Sequence, residues 1–516
     1  MSIESITNLY SEEEFDEHIV VPATRMKHPS IKVIIVLAIG LTLITLGVIA
    51  AAFWSSIFNW FLLRELTLTP TSTIYNLWKE TPIPMYLKFY FFNWTNPNIF
   101  DRPTVRKPIF TEMGPYVFRE VDYKVNKVWN DNGTVTFQRR KVWHFEENLS
   151  NGKLSDLVTN IDPVVVTMAG MMKNKSEFAQ KFADQLIMSI GKQLTITKNV
   201  NELLFAGYED QLLVIADKLN ISTMPYTRFG WFYGRNNSDS FEGTFNMLTG
   251  KNDIYEMGIV KEWNFERETN YYKNSCAIVG GTNGDLWPPL KDNETVSIFV
   301  PDICTYVTLT YQNESVFQGL RGSKFISDET MLDNGDIVES RKCYCSTDKC
   351  DPAGVLNVSK CKYGAPAVIS LPHFYLADSS YKKAVVGMTP SRKKHETFVT
   401  VEPTTGVPMQ VKAQLQLNLL VEPIEHMSIF KFVRKTYMPM MWFTQEANLT
   451  SNYASQVKFL LVLPTLGLVT CIGIAAIGLL ISFIGIFIFV RLRWQGEDNQ
   501  ALLSRNDTNH VNRMAG

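Results

Sequence analysis

The sequence predicts an α+β fold: one large extramembrane domain, rich in antiparallel strands and carrying an inserted helical block, held between two membrane-spanning helices. Three observations predict it. Two long apolar runs lie near the ends of the 516-residue chain. Polar and apolar residues alternate at period two on either side of a tight-turn signal. One block inside the intervening segment shows helical spacing instead.

The first apolar run has no charged residue from Val33 to Leu63, and the second has none from Phe459 to Val490. Each exceeds the roughly 20 residues a helix needs to cross a bilayer, where a helix pairs all its own backbone groups. A buried core helix rarely stays uncharged for so long. A signal peptide has a shorter apolar region nearer the N-terminus. The spans are therefore placed at 33–54 and 459–490. Arg25, Lys27 and Lys32 precede the first, and Arg491 and Arg493 follow the second. Cations stay on the cytoplasmic side, so a polar head at 1–32 and a tail at 491–516 are expected in the cytoplasm, with 55–458 outside the cell or in a lumen.

In the middle segment Tyr116, Phe118, Val121, Tyr123, Val125 and Val128 lie on an alternating stretch. Asp131-Asn132-Gly133 supplies a turn and Val135–Phe145 alternates again, which is the pattern of a β-hairpin. From 153 to 218 the pattern changes. Val165, Met168 and Met172, then Phe178, Phe182 and Leu186, then Leu203, Leu204, Leu212 and Leu213 recur at helical spacing, so this block reads as several short helices. Phe398–Val401 and Val411–Val421 are late strands, the second with Gln414, Gln416 and Asn418 alternating with leucines. No repeat or low-complexity linker divides 55–458, which is read as one domain.

Composition excludes some functions. With 50 Lys and Arg against 51 Asp and Glu, the net charge is −1, and a nucleic-acid binder would show a basic excess. Neither a Gly-x-Ser-x-Gly elbow nor a His-Glu-x-x-His helix occurs, so no catalytic residue is assigned and the chain is read as a non-enzyme with no cofactor and no metal.

Six of the seven cysteines lie between the spans: Cys276, Cys304, Cys343, Cys345, Cys350 and Cys361. An even set in an oxidising compartment reads as three disulfides, with fifteen connectivities open. A zinc site from Cys343, Cys345, Cys350 and Cys361 is the rival reading, weakened by irregular spacing. Asn-x-Ser/Thr sequons occur between the spans at Asn93, Asn132, Asn148, Asn174, Asn220, Asn236, Asn293, Asn313, Asn357 and Asn448, and an eleventh match, Asn506, falls in the expected cytoplasmic tail and should stay bare. Each match between the spans is a candidate glycosylation site and marks a surface loop.

Met168 and Met172 in the helical block are flexible and polarizable, suited to varied apolar ligands or to ordinary helix packing. Lys181 and Lys192 are candidate contacts for anionic ligands or lipid head groups, against the plainer reading of a solvated face. In the tail, Asp498-Asn-Gln-Ala-Leu502-Leu503 fits the acidic dileucine pattern. Its leucines would fill an apolar pocket of a cytoplasmic sorting adaptor.

Six stretches carry a resemblance: Tyr90-Phe-Phe-Asn-Trp-Thr-Asn-Pro97, Gly114-Pro-Tyr-Val-Phe118, Thr249-Gly-Lys-Asn-Asp253, Asn283-Gly-Asp-Leu-Trp-Pro-Pro289, Leu371-Pro-His-Phe-Tyr-Leu-Ala-Asp378 and Val401-Glu-Pro-Thr-Thr-Gly406. With the two-span layout, the chain resembles the class B scavenger receptors, and its tail resembles that of their lysosomal branch. The resemblance implies a large antiparallel β-barrel with an apical helical bundle over 153–218, an internal apolar tunnel, and disulfides Cys276–Cys343, Cys304–Cys361 and Cys345–Cys350. It also places the family's ligand-contacting lysine nearest Lys192. It implies capture and transfer of lipids (fatty acid, sterol or phospholipid) or lipoprotein-like ligands in a lysosomal or late endosomal membrane. The alternatives are a glycosylated protein that keeps the lysosomal membrane intact, a cell-surface receptor for lipoproteins or apoptotic cells, and a lysosomal enzyme-sorting receptor. No histidine lies between His144 and His373, so a histidine-gated acid release in the helical block is not expected, while a carboxylate switch stays open. A homo-oligomer is compatible with all of these.

Overall fold

The computed structural model describes residues 31–100, 106–219, 226–291, 295–345 and 350–514. It divides into two compact units: one formed by the long terminal helices up to Phe58 and from Val462, the other by Asn59–Leu461.

Two helices are long and apolar enough to cross a membrane: α1 (Ile31–Leu66) and the last helix of the chain, Ser451–Met514. Both run past the apolar stretches of the sequence. In the first unit they approach through small residues. A Cβ on Gly47 would stand 2.7 Å from the Ala475 nitrogen, and one on Gly478 would stand 2.7 Å from the Gly40 carbonyl oxygen. Trp54 Nε1 donates to the Pro464 carbonyl at 2.9 Å. Lipid surroundings give helices no hydrophobic reason to associate, so close backbone approach over glycine supplies the contact.

The second unit is built on a 13-stranded sheet. Its first strands are β1 (Met85–Trp94), β2 (Phe110–Trp129) and β3 (Thr134–Phe145). Two short pairs follow, β4 (Leu157–Ile161) with β5 (Thr195–Asn199), and β6 (Tyr208–Glu209) with β7 (Arg228–Phe229). The sheet resumes with β8 (Thr244–Leu248), β9 (Val260–Trp263), β10 (Thr295–Val300), β11 (Thr305–Phe317) and β12 (Leu320–Ile326). It ends with β13 (Val355–Asn357), β14 (Ala367–Ser370), β15 (Phe398–Val401), β16 (Pro408–Val421) and β17 (Thr436–Asn448). The spatial order is β10-β11-β12-β15-β16-β17-β1-β2-β3-β8-β9, with β14 also on β16 and β13 on β14.

The two outer strands of that path meet through one short segment. Val260 N–H bonds the Gly281 carbonyl at 2.9 Å, and Phe299 N–H bonds the Thr282 carbonyl at 2.7 Å. The sheet is thus a nearly closed antiparallel barrel, which removes the exposed edges that would otherwise pair with other chains.

The hairpin β2–β3 turns at Asn130–Gly133, where Gly133 has φ +80°, a conformation that favours glycine. The helical block follows, with α2 (Thr73–Lys79) before it near the start of the unit and α3 (Pro163–Met172), α4 (Glu177–Ser189) and α5 (Gln211–Lys218) within it. Their starts are written in the sequence. Asp162 accepts from the Val164 and Val165 N–H groups with Pro163 in the first turn, and Asp210 accepts from Leu212 N–H. Both are N-caps that satisfy donors a helix cannot pair itself. The block docks on the barrel through an aromatic ring: Phe205 meets Phe89, Phe118 and Trp143 at centroid distances of 6.2, 5.0 and 5.5 Å.

Candidate functional site

A cavity of about 340 Å³ lies inside the second unit, within the size range of small-molecule pockets. Much of its wall is apolar: Trp78, Met85, Leu286, Val411, Leu415 and Phe443 line it. Two stretches of lining, from Ile74 to Ile83 and from Leu449 to Val457, adjoin the long terminal helices in sequence.

Part of the remaining wall belongs to a buried cluster of charges. On β2, Glu120, Asp122 and Lys124 sit at alternate positions and so share one face. On β3, Lys141 stands opposite Asp122, and Arg139 opposite Lys124. Loops add Arg235, Glu242, Asp285, Asp302 and Lys362. Lys124 Nζ lies 3.1 Å from Asp122 and 2.7 Å from Asp285. Arg139 pairs with Asp122 and with Asp285 at 3.2 Å. Lys141 reaches Glu242 at 2.9 Å and Glu120 at 3.8 Å. Arg235 reaches Glu242 at 3.3 Å and Asp302 at 2.9 Å, and Lys362 closes on Asp302 at 3.6 Å.

Burial opposes ionisation of Asp122, yet Arg139 and Lys124 hold its carboxyl well below the ordinary range. Burial likewise opposes, and Lys141 and Arg139 outweigh it, at Glu242. Glu120 goes the other way: burial raises it despite Lys141. Like charges at Lys124 and Arg139 face each other across the hairpin, which only the intervening carboxylates make tolerable. Of this cluster Arg139, Lys141, Glu242, Asp285 and Asp302 line the cavity. None of these charges stands out from the sequence as a site residue. The available signal was an acid-acid-base run at i, i+2, i+4 on one strand facing two bases on the next.

The ligand candidates named from sequence lie elsewhere. Met168 and Met172 on α3 are half-buried and pack against the core. Lys181 is exposed and pairs with Glu177 at 2.6 Å. Lys192 Nζ lies 2.7 Å from Asp162 and 2.5 Å from Asp210, the caps of α3 and α5. Its charge is therefore shared by two carboxylates; from sequence it is a candidate ligand contact set against the plainer reading of a solvated face. The exposed apolar face of the block is instead Phe178 at 80%, Phe182 at 58% and Met188 at 58% exposure on α4, while Gln180, Ala183 and Ile187 face inward.

A histidine does reach this block, from far along the chain. His426 N–H donates to Gln180 Oε1 at 3.4 Å, and His426 is among the groups that lower the Glu177 carboxyl, after Lys181. That contact spans 246 positions, so the composition of 153–218 does not reveal it.

Three disulfides join Cys276 to Cys343, Cys304 to Cys361 and Cys345 to Cys350, and Cys471 is a buried free thiol. Asn132, Asn148, Asn174, Asn236, Asn313 and Asn448 are exposed, and Asn93 and Asn357 are half-buried. Asn220 and Asn293 lie outside the described residues, as does the side chain of Leu503. Asp498 and Leu502 are exposed on the last helix.

The profile of the CD36 family matches residues 36–489. Protein peste of Drosophila melanogaster is 34% identical over 435 residues, covering 84% of this chain and 78% of that protein. Scavenger receptor class B member 1 of Mus musculus is 32% identical over 411 residues, covering 79% of each. Lysosome membrane protein 2 of Rattus norvegicus is 30% identical over 441 residues, covering 85% of this chain and 90% of that protein.

Proposed function

The chain belongs to the CD36 family, and from that premise we propose that it is a membrane receptor that captures lipids, free or carried in lipoprotein-like particles, and passes their acyl chains into the internal cavity. The cavity is the observation that carries this reading. A lipid in water costs about 0.8 kcal/mol per exposed methylene, and the lining around Trp78, Leu415 and Phe443 would remove that cost. The exposed face of α4, with Phe178, Phe182 and Met188, supports capture there. Its rings are large apolar surfaces standing in water, which mark interaction sites when they cluster. The named relatives include a scavenger receptor and a lysosome membrane protein, and no step of bond-making is assigned.

Ala413 lines the cavity from β16. Ala413→Trp should fill it and abolish uptake of radiolabelled lipid into cells expressing the chain, while the amount of protein in the membrane stays unchanged. Uptake by that variant at the wild-type rate would remove the cavity from the path. Mass spectrometry of lipid co-purifying with the intact chain supplies the ligand directly.

For location we propose delivery to lysosomal or late endosomal membranes through a cytoplasmic adaptor. Identity does not separate the branches, at 32% against 30%, so the tail supports it: Asp498 and Leu502 stand exposed on the last helix. Leu502→Ala with Leu503→Ala should shift the protein to the cell surface, and unchanged distribution on fractionation would dismiss the motif.

A further inference from the structure

The β11–β12 hairpin turns at Gln318 and Gly319, with φ +51° and +72°, the left-handed pair that a tight two-residue hairpin loop requires. Phe317 faces Leu320 across the turn, and Val316 faces Arg321. On the inner side Leu320 clusters with Leu449 and Ala454, and Phe317 packs against that cluster. The tip therefore leans on the first turn of the last helix, within the second unit.

The contact continues down that helix. A Cβ on Gly319 would stand 2.6 Å from Lys458 Nζ and 3.1 Å from its Cε, so the turn lies against the lysine through bare backbone. Lys458 immediately precedes the uncharged run Phe459–Val490, and Phe459 is 61% exposed. A lysine at the end of a membrane span lays its stem along apolar surface and keeps its ammonium among the lipid head groups. The turn beside that ammonium stands at the same level. Val316, close to the turn, is 69% exposed, and Arg321 opposite it is exposed as well. Neither Arg321 nor Lys458 pairs with a carboxylate among the described residues. An apolar side chain between two cations suits the layer where phosphates and acyl chains meet. Further up β11, Glu314 and the sequon residue Asn313 are exposed. At about 3.3 Å per residue, a sugar on Asn313 would sit about 10 Å from Val316, which confines the contact to the tip.

We propose that the β11–β12 tip is a third contact of this chain with its own membrane, beside the two helices: Val316 enters the head-group layer on the domain's side of the bilayer, with Arg321 and Lys458 on lipid phosphates. Two points of attachment leave a rigid body one axis of tilt, and a third removes it. Tyr453 and Val457, which line the cavity, belong to the same turns of the last helix. The tip therefore sets the height at which that end of the cavity stands above the lipid. This rests on the reading that the two apolar runs cross a membrane.

The test is lipid quenching on the full-length chain, one copy per nanodisc. Val316→Cys is labelled with bimane in a Cys471→Ala background, where every other cysteine is held in a disulfide. Phosphatidylcholine carrying a doxyl group high on its acyl chain should quench that label. The same lipid should leave a Phe178→Cys label, on α4, as bright as in discs without doxyl. Arg321→Cys serves where the first variant does not fold, with the same loss of fluorescence expected. Labels at both hairpin positions that are quenched no more than the one on α4 overturn the proposal. So does a Val316→Cys label shielded from aqueous iodide yet unquenched by doxyl lipid, because protein then covers the tip. Failure of the wild-type chain to enter nanodiscs overturns the membrane reading with it.

Discussion

The ring of His395 lies against that of His373, centroids 4.5 Å apart and 12° from parallel. Each Nδ1 accepts a backbone N–H, from Ser391 at 3.0 Å and Thr389 at 3.1 Å, so the neutral rings carry their proton on Nε2. Charging His395 would turn that acceptor into a second donor facing a donor. Burial, followed by the neighbouring His373, pushes His395 down to about 4, against a smaller upward pull from Glu112. Between about 6.5 and about 4 the unfolded chain therefore binds the proton that the folded one refuses, and stability is lost as pH falls through that window. Thermal melts of the full-length protein should show a falling midpoint from pH 6.5 to 4, and His395→Gln should flatten that slope. An equal slope in the variant assigns the acid sensitivity to another group.

Lys192 gives a second residue-scale prediction. Its loss leaves the buried Asp162 and Asp210 carboxylates facing each other, at a cost on the order of 3–5 kcal/mol. Lys192→Met should therefore lower the melting temperature strongly. Lys181→Ala removes only an exposed pair with Glu177, worth under about 1 kcal/mol, and should leave it almost unmoved. At Asn93 on β1 the side-chain oxygen accepts the Thr159 N–H of β4 at 2.8 Å. Half-buried Asn93 offers a sugar less room than exposed Asn132 and Asn174, so glycopeptide mapping should find lower occupancy at Asn93 than at those two.

At the scale of elements, the hairpin over 115–145 was legible because its two signals are local: alternation, and a glycine where the turn needs positive φ. The late strand was legible in place but not in environment. Gln414, Gln416 and Asn418 are 2, 0 and 0% exposed. β16 is covered on both faces, so its polar positions face an interior. There they form an amide ladder: Gln416 Nε2 donates to Asn418 Oδ1, and Asn418 Nδ2 to Ser370 Oγ. Helical spacing likewise found α4 but could not say which stripe turns inward, because Phe178 and Phe182 are as apolar as a core stripe and yet stand in water. The disulfides differ by the chain they close. Cys304–Cys361 spans 57 positions and Cys345–Cys350 spans 5. Loop entropy gives about 4 against about 2 kcal/mol, so the Cys304→Ser, Cys361→Ser pair should lower the denaturation midpoint about twice as far as the Cys345→Ser, Cys350→Ser pair.

At the scale of the whole molecule, the barrel closes through residues 281–282 between β9 and β10, and closure creates the interior in which five acids and five bases meet. The sequence by itself determined what depends on neighbours along the chain: two apolar runs of bilayer length, the hairpin, the helical block with its aspartate caps, and through six short stretches the family. Only the tertiary structure decided what depends on distant residues converging. It set Lys192 between two caps, brought His426 to Gln180, and gathered Arg139 and Lys141 of β3 with Glu242, Asp285 and Asp302 into the cavity wall. The physical reason is that one-dimensional patterning reports the periodicity of a segment, whereas burial and charge compensation are properties of what the closed sheet places opposite it.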